Sequence, residues 1–480
     1  IAKVLVDWMT DGVAEMDYAS IDTARHYPLQ KTPSFIYERC FEAAFKVYNP
    51  PVHNREPFSK GRNLRRSPFW VREQELGGYF MELAGWERAH GYAANEHLLE
   101  KYAGRVPVRE HEWDNRHFWR VSNAEQLAMS DNVGMINLSH FAVFDVFGPD
   151  AEALMEYACV AKVGGNTPIG KGVYTHFLDH RGGIRADLTV IRQGTDRYRV
   201  IDGADAGHRD YLWLKRMAED HGWKVYIDDR SDHMACLGVW GPNARKTIQA
   251  VADDPTAWED GNFPFASYRH LTLNGIPVEA FRISYVGEQG WELHVAFSYG
   301  LALWDLIHAQ GATPVGIETY ANTRRMEKSL RLQNADLLTE YNLFEADLAR
   351  PKVKAAEFHG KASFLEQRQR EHQPAYLCTL TMTDNVDSAG IARYPVGACP
   401  LMDPATGEVL VDSLGRRSYL TSIAFGPSIG KNIGLAYLPY AYCERGLELT
   451  MEYLGEQFPM KVEAVGYEPL YDPENRLPRT

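Results

Sequence analysis

The 480-residue chain lacks any apolar run near the ~20 residues that a membrane-spanning helix needs, and it lacks a secretion-signal pattern. Nothing in it is therefore expected to span or cross a membrane. Closely spaced cysteines are also missing. Cys40, Cys159, Cys236, Cys378, Cys399 and Cys443 are dispersed, which argues against a disulfide framework and against a Cys-type zinc site, so no metal ligands are expected. The same pattern suits a reducing compartment, the cytoplasm or, in a eukaryote, the mitochondrial matrix. Clusters of Lys and Arg are absent as well, and 51 basic against 64 acidic residues leave a formal charge of −13. Phosphate contacts need clustered cations, so a nucleic-acid surface is not expected. No G-x-G-x-x-G fingerprint occurs, so the chain is expected to carry no flavin site of its own. GNTPIGKG, from Gly165 to Gly172, nearly matches a phosphate-binding loop, but Gly172 stands where a magnesium-binding hydroxyl is required, and the segment reads as a turn.

What is present is a globular composition, 45% apolar, over a length that suggests roughly three domains. Residues 1–75 read as a connector. Val4, Leu5, Trp8 and Met9 follow helical spacing that ends at Gly12, and an acidic, helix-rich stretch then follows from Met16, punctuated by Pro28, Pro33, Pro50, Pro51 and Pro57. Residues 76–367 mix strands such as Ala142 to Phe147 and Tyr198 to Ile201 with helices such as Ala151 to Tyr157 and Tyr211 to His221, without strict β-α-β alternation. That mixture indicates an α+β class. After the charged run Glu366 to Gln373, residues 368–480 turn to strand-like sequence with turn glycines such as Gly415 and Gly426, as in a small β-barrel or sandwich.

Two segments carry candidate chemistry. In ISYVGEQGWELHV, Ile283 to Val295, apolar alternation fits one strand broken by Gly287 and Gly290, and the bend would let Tyr285 and Glu292 face one pocket. A carboxylate there can accept two parallel hydrogen bonds from an amidine-like edge, such as that of a pterin or guanine, while the ring offers a stacking face. The plainer alternative is a hairpin with a solvated glutamate. In HRGGIRADLTV, His180 to Val190, Gly182 and Gly183 provide a tight turn, and Asp187 opens a strand beside the apolar Leu188 and Val190. Partial desolvation would raise its pKa and make it a better base. A turn-capping aspartate is the alternative. His111 and His117, near Glu110, Glu112 and Asp114, lack helical ligand spacing and read as a solvated polar loop. His140 has no evident triad partner.

Five segments in order resemble signatures of the aminomethyltransferase family, which includes the glycine cleavage T-protein and the C-terminal halves of dimethylglycine and sarcosine dehydrogenases. They are the two above, NTRRMEKSLR from Asn322 to Arg331, GRRSYLTSIAFGPSIGKNIGLAYLP from Gly415 to Pro439, and EPLYDPENRL from Glu468 to Leu477. Upstream, Ala24 to Tyr48 and GWER at Gly85 to Arg88 resemble the connecting segment of the flavin-dependent dehydrogenase branch, where a helix ending W-M-x-D-G closes the flavin domain. The resemblance implies a three-lobed folate-binding domain with a C-terminal β-barrel and an N-terminal connector. It implies tetrahydrofolate as cofactor, with Asp187 by its N5 region and Tyr285, Glu292 and Thr189 holding it. Arg325 would steady the pocket or meet folate carboxylates, or instead form a local ion pair with Glu327. The implied function is the one-carbon-accepting module of an FAD-dependent demethylating dehydrogenase, with a methylated amine as donor, 5,10-methylenetetrahydrofolate as product, FAD on a further domain or subunit, and an oligomer possible. The alternative is an independent tetrahydrofolate methyltransferase yielding 5-methyltetrahydrofolate. Three positions depart from the family pattern: Arg324 in place of an apolar residue, Asn137 in place of an aspartate, and Glu318 in place of a glycine.

Overall fold

The computed structural model describes residues 2–11, 16–49, 52–118 and 120–474. Gly12, Pro50, Pro51 and the end of the last signature, Asn475 to Leu477, lie outside them. The chain forms two compact units.

The first unit comprises Ile1–Lys31, Phe141–Asp232 and Leu332–Gln373. Its centre is a five-stranded antiparallel sheet in the order Gly172–Leu178, Ile184–Arg192, Arg197–Asp202, Ala142–Phe147, Tyr226–Asp229. Alternation along Ile184–Arg192 sends Ala186, Leu188 and Val190 into a core shared with the helices Ala151–Ala158 and Gly207–Asp220. Arg185, Asp187 and Thr189 are thereby placed on the opposite face. The turn before this strand is built by Asp179, whose Oδ1 accepts from the backbone N–H groups of Arg181 (2.9 Å) and Gly183 (2.8 Å). Gly182 has φ +79°, and a Cβ on Gly183 would lie 2.0 Å from the carbonyl oxygen of Thr339, so both glycines are required. The segment 165–170 is a turn, as expected.

The second unit comprises Thr32–His140, His233–Arg331 and Pro374–Thr480. One six-stranded sheet runs Tyr268–Leu273, Ile276–Phe281, Gly290–Ala296, Met234–Trp240, Gly134–Asn137, Thr313–Pro314, antiparallel except for its last pair. Trp291, Leu293 and Val295 alternate into a core with Trp258, Trp304 and Leu237. The last hundred residues supply the expected barrel, ordered Leu401–Met402, Glu448–Tyr453, Glu456–Val465, Ala375–Met382, Lys431–Pro439, Leu420–Gly426. Its edges meet: the Leu420 N–H donates to the Cys399 carbonyl (2.9 Å) and the Leu401 N–H to the Ser418 carbonyl (3.1 Å), which closes the sheet and leaves no unpaired edge there.

Two local expectations change. The stretch from Ile283 is not one broken strand: residues 282–289 form a loop, and only Gly290–Ala296 is extended. Gly290 lies so close to the neighbouring strand that a Cβ would meet the Val239 carbonyl at 1.9 Å, and Gly287 has φ +72°, so the glycines end the pairing rather than bend it. Asp114 does not belong to a solvated loop. It is fully buried and accepts from Arg393 Nε (2.7 Å), Tyr453 Oη (2.5 Å) and the Tyr394 N–H (3.1 Å), anchoring a short helix to the barrel. Among the described residues no helix is long and apolar enough to cross a membrane.

Candidate functional site

In the first unit the exposed side of the sheet carries a polar group on two paired strands. His176 lies opposite Asp187 and Tyr174 opposite Thr189. His176 Nε2 stands 3.5 Å from Asp187 Oδ1 and 3.3 Å from Tyr174 Oη. The imidazole is buried, the Asp187 side chain is 11% exposed, and its Oδ1 is enclosed with no hydrogen-bond partner among the described residues. Burial, opposed by the Tyr174 hydroxyl, raises Asp187 to about 7. Burial, with the Arg350 cation, lowers His176 to about 3. Of the two groups the carboxyl takes the proton first; it is about half ionised near pH 7 with the imidazole neutral, so Asp187 changes state where a general base is most effective. Arg185, two residues earlier on the same face, turns instead to Asp210 (3.3 Å). It lines a cleft of about 530 Å³ with Arg209, Trp213 and His180.

In the second unit Tyr285 hangs from the loop before Gly290–Ala296. Its hydroxyl donates to the Arg331 carbonyl, and its ring packs at 5.0 Å on Tyr320, which packs at 5.7 Å on Trp240. A wall of three rings results. Glu292 sits within the strand, 5% exposed, and pairs across to Gly238, whose missing side chain makes room for the Trp240 ring, which a Cβ there would meet at 2.0 Å. Among the described residues Glu292 receives no hydrogen bond; its charged neighbour is His294 Nε2, at 3.5 Å. The same imidazole nitrogen lies 3.7 Å from Cys236 Sγ on the adjacent strand. Burial, then the nearby Glu292 carboxylate, pushes the Cys236 thiol far up. Tyr285 and Glu292 thus have different partners, and the solvated-hairpin alternative is excluded by the burial of Glu292.

Arg325 is buried and its guanidinium is used internally. Nε donates to the Ala321 carbonyl (2.8 Å), Nη1 to the Leu330 carbonyl (3.0 Å) and Nη2 to Ser422 Oγ (2.6 Å). These bonds tie the turn after the helix Arg324–Glu327 to the barrel. Glu327 pairs with Arg324, not Arg325: Arg324 Nη1 meets Glu327 Oε2 at 2.7 Å, Nη2 meets Glu288, and the guanidinium lies 4.0 Å from the centre of the Tyr471 ring. The unexpected arginine is thus neutralised by two buried acids, one of which, Glu288, comes from the Tyr285 loop. Glu318 is likewise explained. Burial alone would raise its pKa, but Arg55 (2.7 Å) and His90 (3.3 Å) hold it well below the usual range. Asn137 donates to Glu73 Oε2 (3.0 Å), and burial pushes that glutamate up to about 7 despite Asn137 and Tyr92. An aspartate at position 137 would set two carboxylates against each other. Sequence reasoning missed Glu73, His176, Cys236, His294 and Glu288; His176 was findable only from the pairing register, since Asp187 lies eleven positions along the chain.

The GCVT N-terminal domain matches residues 69–354, more than half of the chain, and the Glycine cleavage T-protein C-terminal barrel domain matches residues 401–472. The chain belongs to the GCVT aminomethyltransferase family, a family of enzymes. The FAD dependent oxidoreductase central domain matches residues 11–67. Dimethylglycine dehydrogenase, mitochondrial, of Rattus norvegicus is 27% identical over 470 residues, 96% of this chain and 51% of that protein. The chain therefore spans about half the length of that relative. The aminomethyltransferase of Paraburkholderia phymatum is 25% identical over 78% of this chain and 90% of its own length. The crystal structure of the glycine cleavage system aminomethyltransferase T from Bartonella henselae superposes with a TM-score of 0.67 over 87% of this chain and 98% of its own, at 21% identity, which establishes the shared fold.

Proposed function

We propose that the chain is the tetrahydrofolate-binding, one-carbon-accepting part of an FAD-dependent N-demethylating dehydrogenase, yielding 5,10-methylenetetrahydrofolate. The observation that carries this reading is the Asp187 carboxyl, whose enclosed Oδ1 lies 3.5 Å from His176 Nε2 and which is raised to about 7 beside a neutral imidazole. Bound folate would supply the nucleophilic nitrogen that receives the carbon. Asp187 accepts the proton which that nitrogen gives up and returns it to the departing amine; Thr189, on the same strand face, donates its hydroxyl to the ligand. Glu292 is assigned to the amino edge of the pterin, for which a buried carboxylate without a donor is suited, and Tyr285 to the ring beside it. Arg325 acts as a positioning residue. The functional division is a connector at 1–75, a folate domain at 76–367 and a barrel at 368–480.

The flavin is assigned to a segment or subunit outside this chain. Supporting this, the connector helix Pro33–Tyr48 leaves Tyr37, Phe41, Phe45 and Tyr48 each more than 60% exposed at i, i+4, i+8 and i+11, a continuous apolar stripe of the kind that partners cover. It falls within the stretch that matches the oxidoreductase central domain. Reducing cytoplasm or mitochondrial matrix would suit its unpaired thiols. The test is to supply the chain, joined to or mixed with its flavin-bearing part, with a methylated amine and tetrahydrofolate, and to identify the folate product by mass spectrometry. A flavin-dependent methylene product supports the reading. A methyl product formed by the chain without flavin overturns it in favour of an independent methyltransferase.

A further inference from the structure

Cys236, Glu292 and His294 share one face of two adjacent strands. Cys236 lies directly opposite His294 in the antiparallel pair Met234–Trp240 and Gly290–Ala296, and Glu292, two residues before His294, projects from the same side. All three are buried, and one ligand atom from each lies within 4.8 Å of the others. Two features of this cluster are unexplained by protein contacts. Glu292, 5% exposed, receives no hydrogen bond among the described residues, and His294 Nδ1 is enclosed without a partner among them. The 3.5 Å separation of Glu292 from His294 Nε2 is too long for a good N–H···O bond.

The distances have a different meaning for a metal. With about 2.3 Å from zinc to sulfur and about 2.0–2.1 Å to nitrogen or oxygen, the edges of a tetrahedron come to roughly 3.4–3.6 Å. The Sγ–Nε2 distance of 3.7 Å and the Oε2–Nε2 distance of 3.5 Å are within ~0.2 Å of those edges. We propose that Cys236 Sγ, Glu292 Oε2 and His294 Nε2 form a three-ligand site for a divalent transition metal, with zinc the ion that this ligand set fits. A thiolate, an imidazole and a carboxylate disfavour magnesium and calcium, which take oxygen shells, and three protein ligands leave the fourth position for water or a ligand atom. The ligands stand on paired strands whose other faces are packed into the core, so the site is rigid before the ion arrives. Ligation releases the thiol proton to solvent. Chain spacing hides the site because Cys236 and His294 are 58 residues apart and meet only through strand pairing.

Glu292 is shared with the folate assignment, whereas Cys236 and His294 are not, and this separates the two readings. The chain is stripped with chelator and titrated with zinc, and in parallel with cobalt(II). One ion per chain is expected, with a thiolate-to-cobalt charge-transfer band in the near ultraviolet. Cys236→Ser should abolish the band, His294→Gln should weaken binding by at least ~10–100-fold, and Cys399→Ser should leave it intact. Tetrahydrofolate binding should survive Cys236→Ser and fall in Glu292→Gln, whichever way the metal result goes. X-ray absorption at the zinc edge of the unmodified chain needs no variant and should show one sulfur with nitrogen and oxygen neighbours. Absence of uptake, a band that survives Cys236→Ser, or a shell without sulfur or with several sulfurs would overturn the proposal.

Discussion

Replacing Asp187 by Asn should make the protein more stable and less active, and the stability gain should depend on pH in a defined way. The folded carboxyl keeps its proton up to about pH 7, because burial, opposed by Tyr174, raises it from 3.8. In the unfolded chain it ionises near pH 4. Below pH 4 both states hold the proton, and the stabilisation associated with the neutral carboxyl is fully present. Between pH 4 and pH 7 that stabilisation is progressively lost, since only the unfolded state ionises there, and the loss is complete once pH has risen through 7. At about 1.36 kcal/mol per pKa unit, the difference between 3.8 and 7 amounts to ~4 kcal/mol, and water reaching the 11% of the side chain that is exposed reduces this to roughly 2–4 kcal/mol. The Asn variant carries no ionisable group and escapes the loss. Urea unfolding followed at pH 4 and pH 8, on the transition that reports the first unit, should show wild type and variant nearly equal at pH 4 and the variant more stable by that amount at pH 8. Equal stability at both pH values would refute the desolvated carboxyl and with it the catalytic argument. Turnover should drop in the variant while folate affinity is largely kept.

Further consequences follow from other contacts. Arg324→Met strands Glu288 and Glu327 as buried unpaired acids and should lower stability by about 3–5 kcal/mol in denaturant titration, with Glu288→Gln in the same background recovering part of it. The acid limb of turnover should rise with an apparent pKa near 7 and disappear in Asp187→Asn; a limb unmoved by that change would assign it to another group. Tyr37→Ser with Phe41→Ser should alter stability by less than about 0.5 kcal/mol, because both side chains are exposed, yet abolish association with the flavin-bearing part in a pull-down. Asp114→Asn should cost about 1–3 kcal/mol, because Arg393 loses its 2.7 Å partner but keeps Asp387 at 3.3 Å, read as a lower thermal midpoint.

The features legible in the sequence were those governed by local periodicity. Alternation along Ile184–Arg192 placed Asp187 and Thr189 on one face, and the strand-rich tail closed into the barrel that its turns implied. What was not legible depends on distant pairing. Asp114 looked solvated because its partners, Arg393 and Tyr453, are 279 and 339 residues away. Tyr285 seemed to share a strand with Glu292 because glycines within an alternating run give the same pattern whether they bend a strand or end it. Arg324 broke an apolar pattern, and only the fold shows that two acids, one from a separate loop, neutralise it. His176 and Cys236 acquire their chemical neighbours through register, which one-dimensional spacing does not encode.

The central claim is that this chain itself holds tetrahydrofolate, through Glu292, with Asp187 working on the reaction rather than on binding. Equilibrium titration of reduced folate into the wild-type, Glu292→Gln and Asp187→Asn proteins tests it most directly. A charge-assisted hydrogen bond of about 1.5–3 kcal/mol corresponds to a loss of roughly 10–150-fold in affinity for Glu292→Gln. The expected result is saturable binding to the wild type, that loss in Glu292→Gln, and near-wild-type affinity in Asp187→Asn. A folded wild-type chain that fails to bind, or a Glu292→Gln variant that binds as well as wild type, would contradict it.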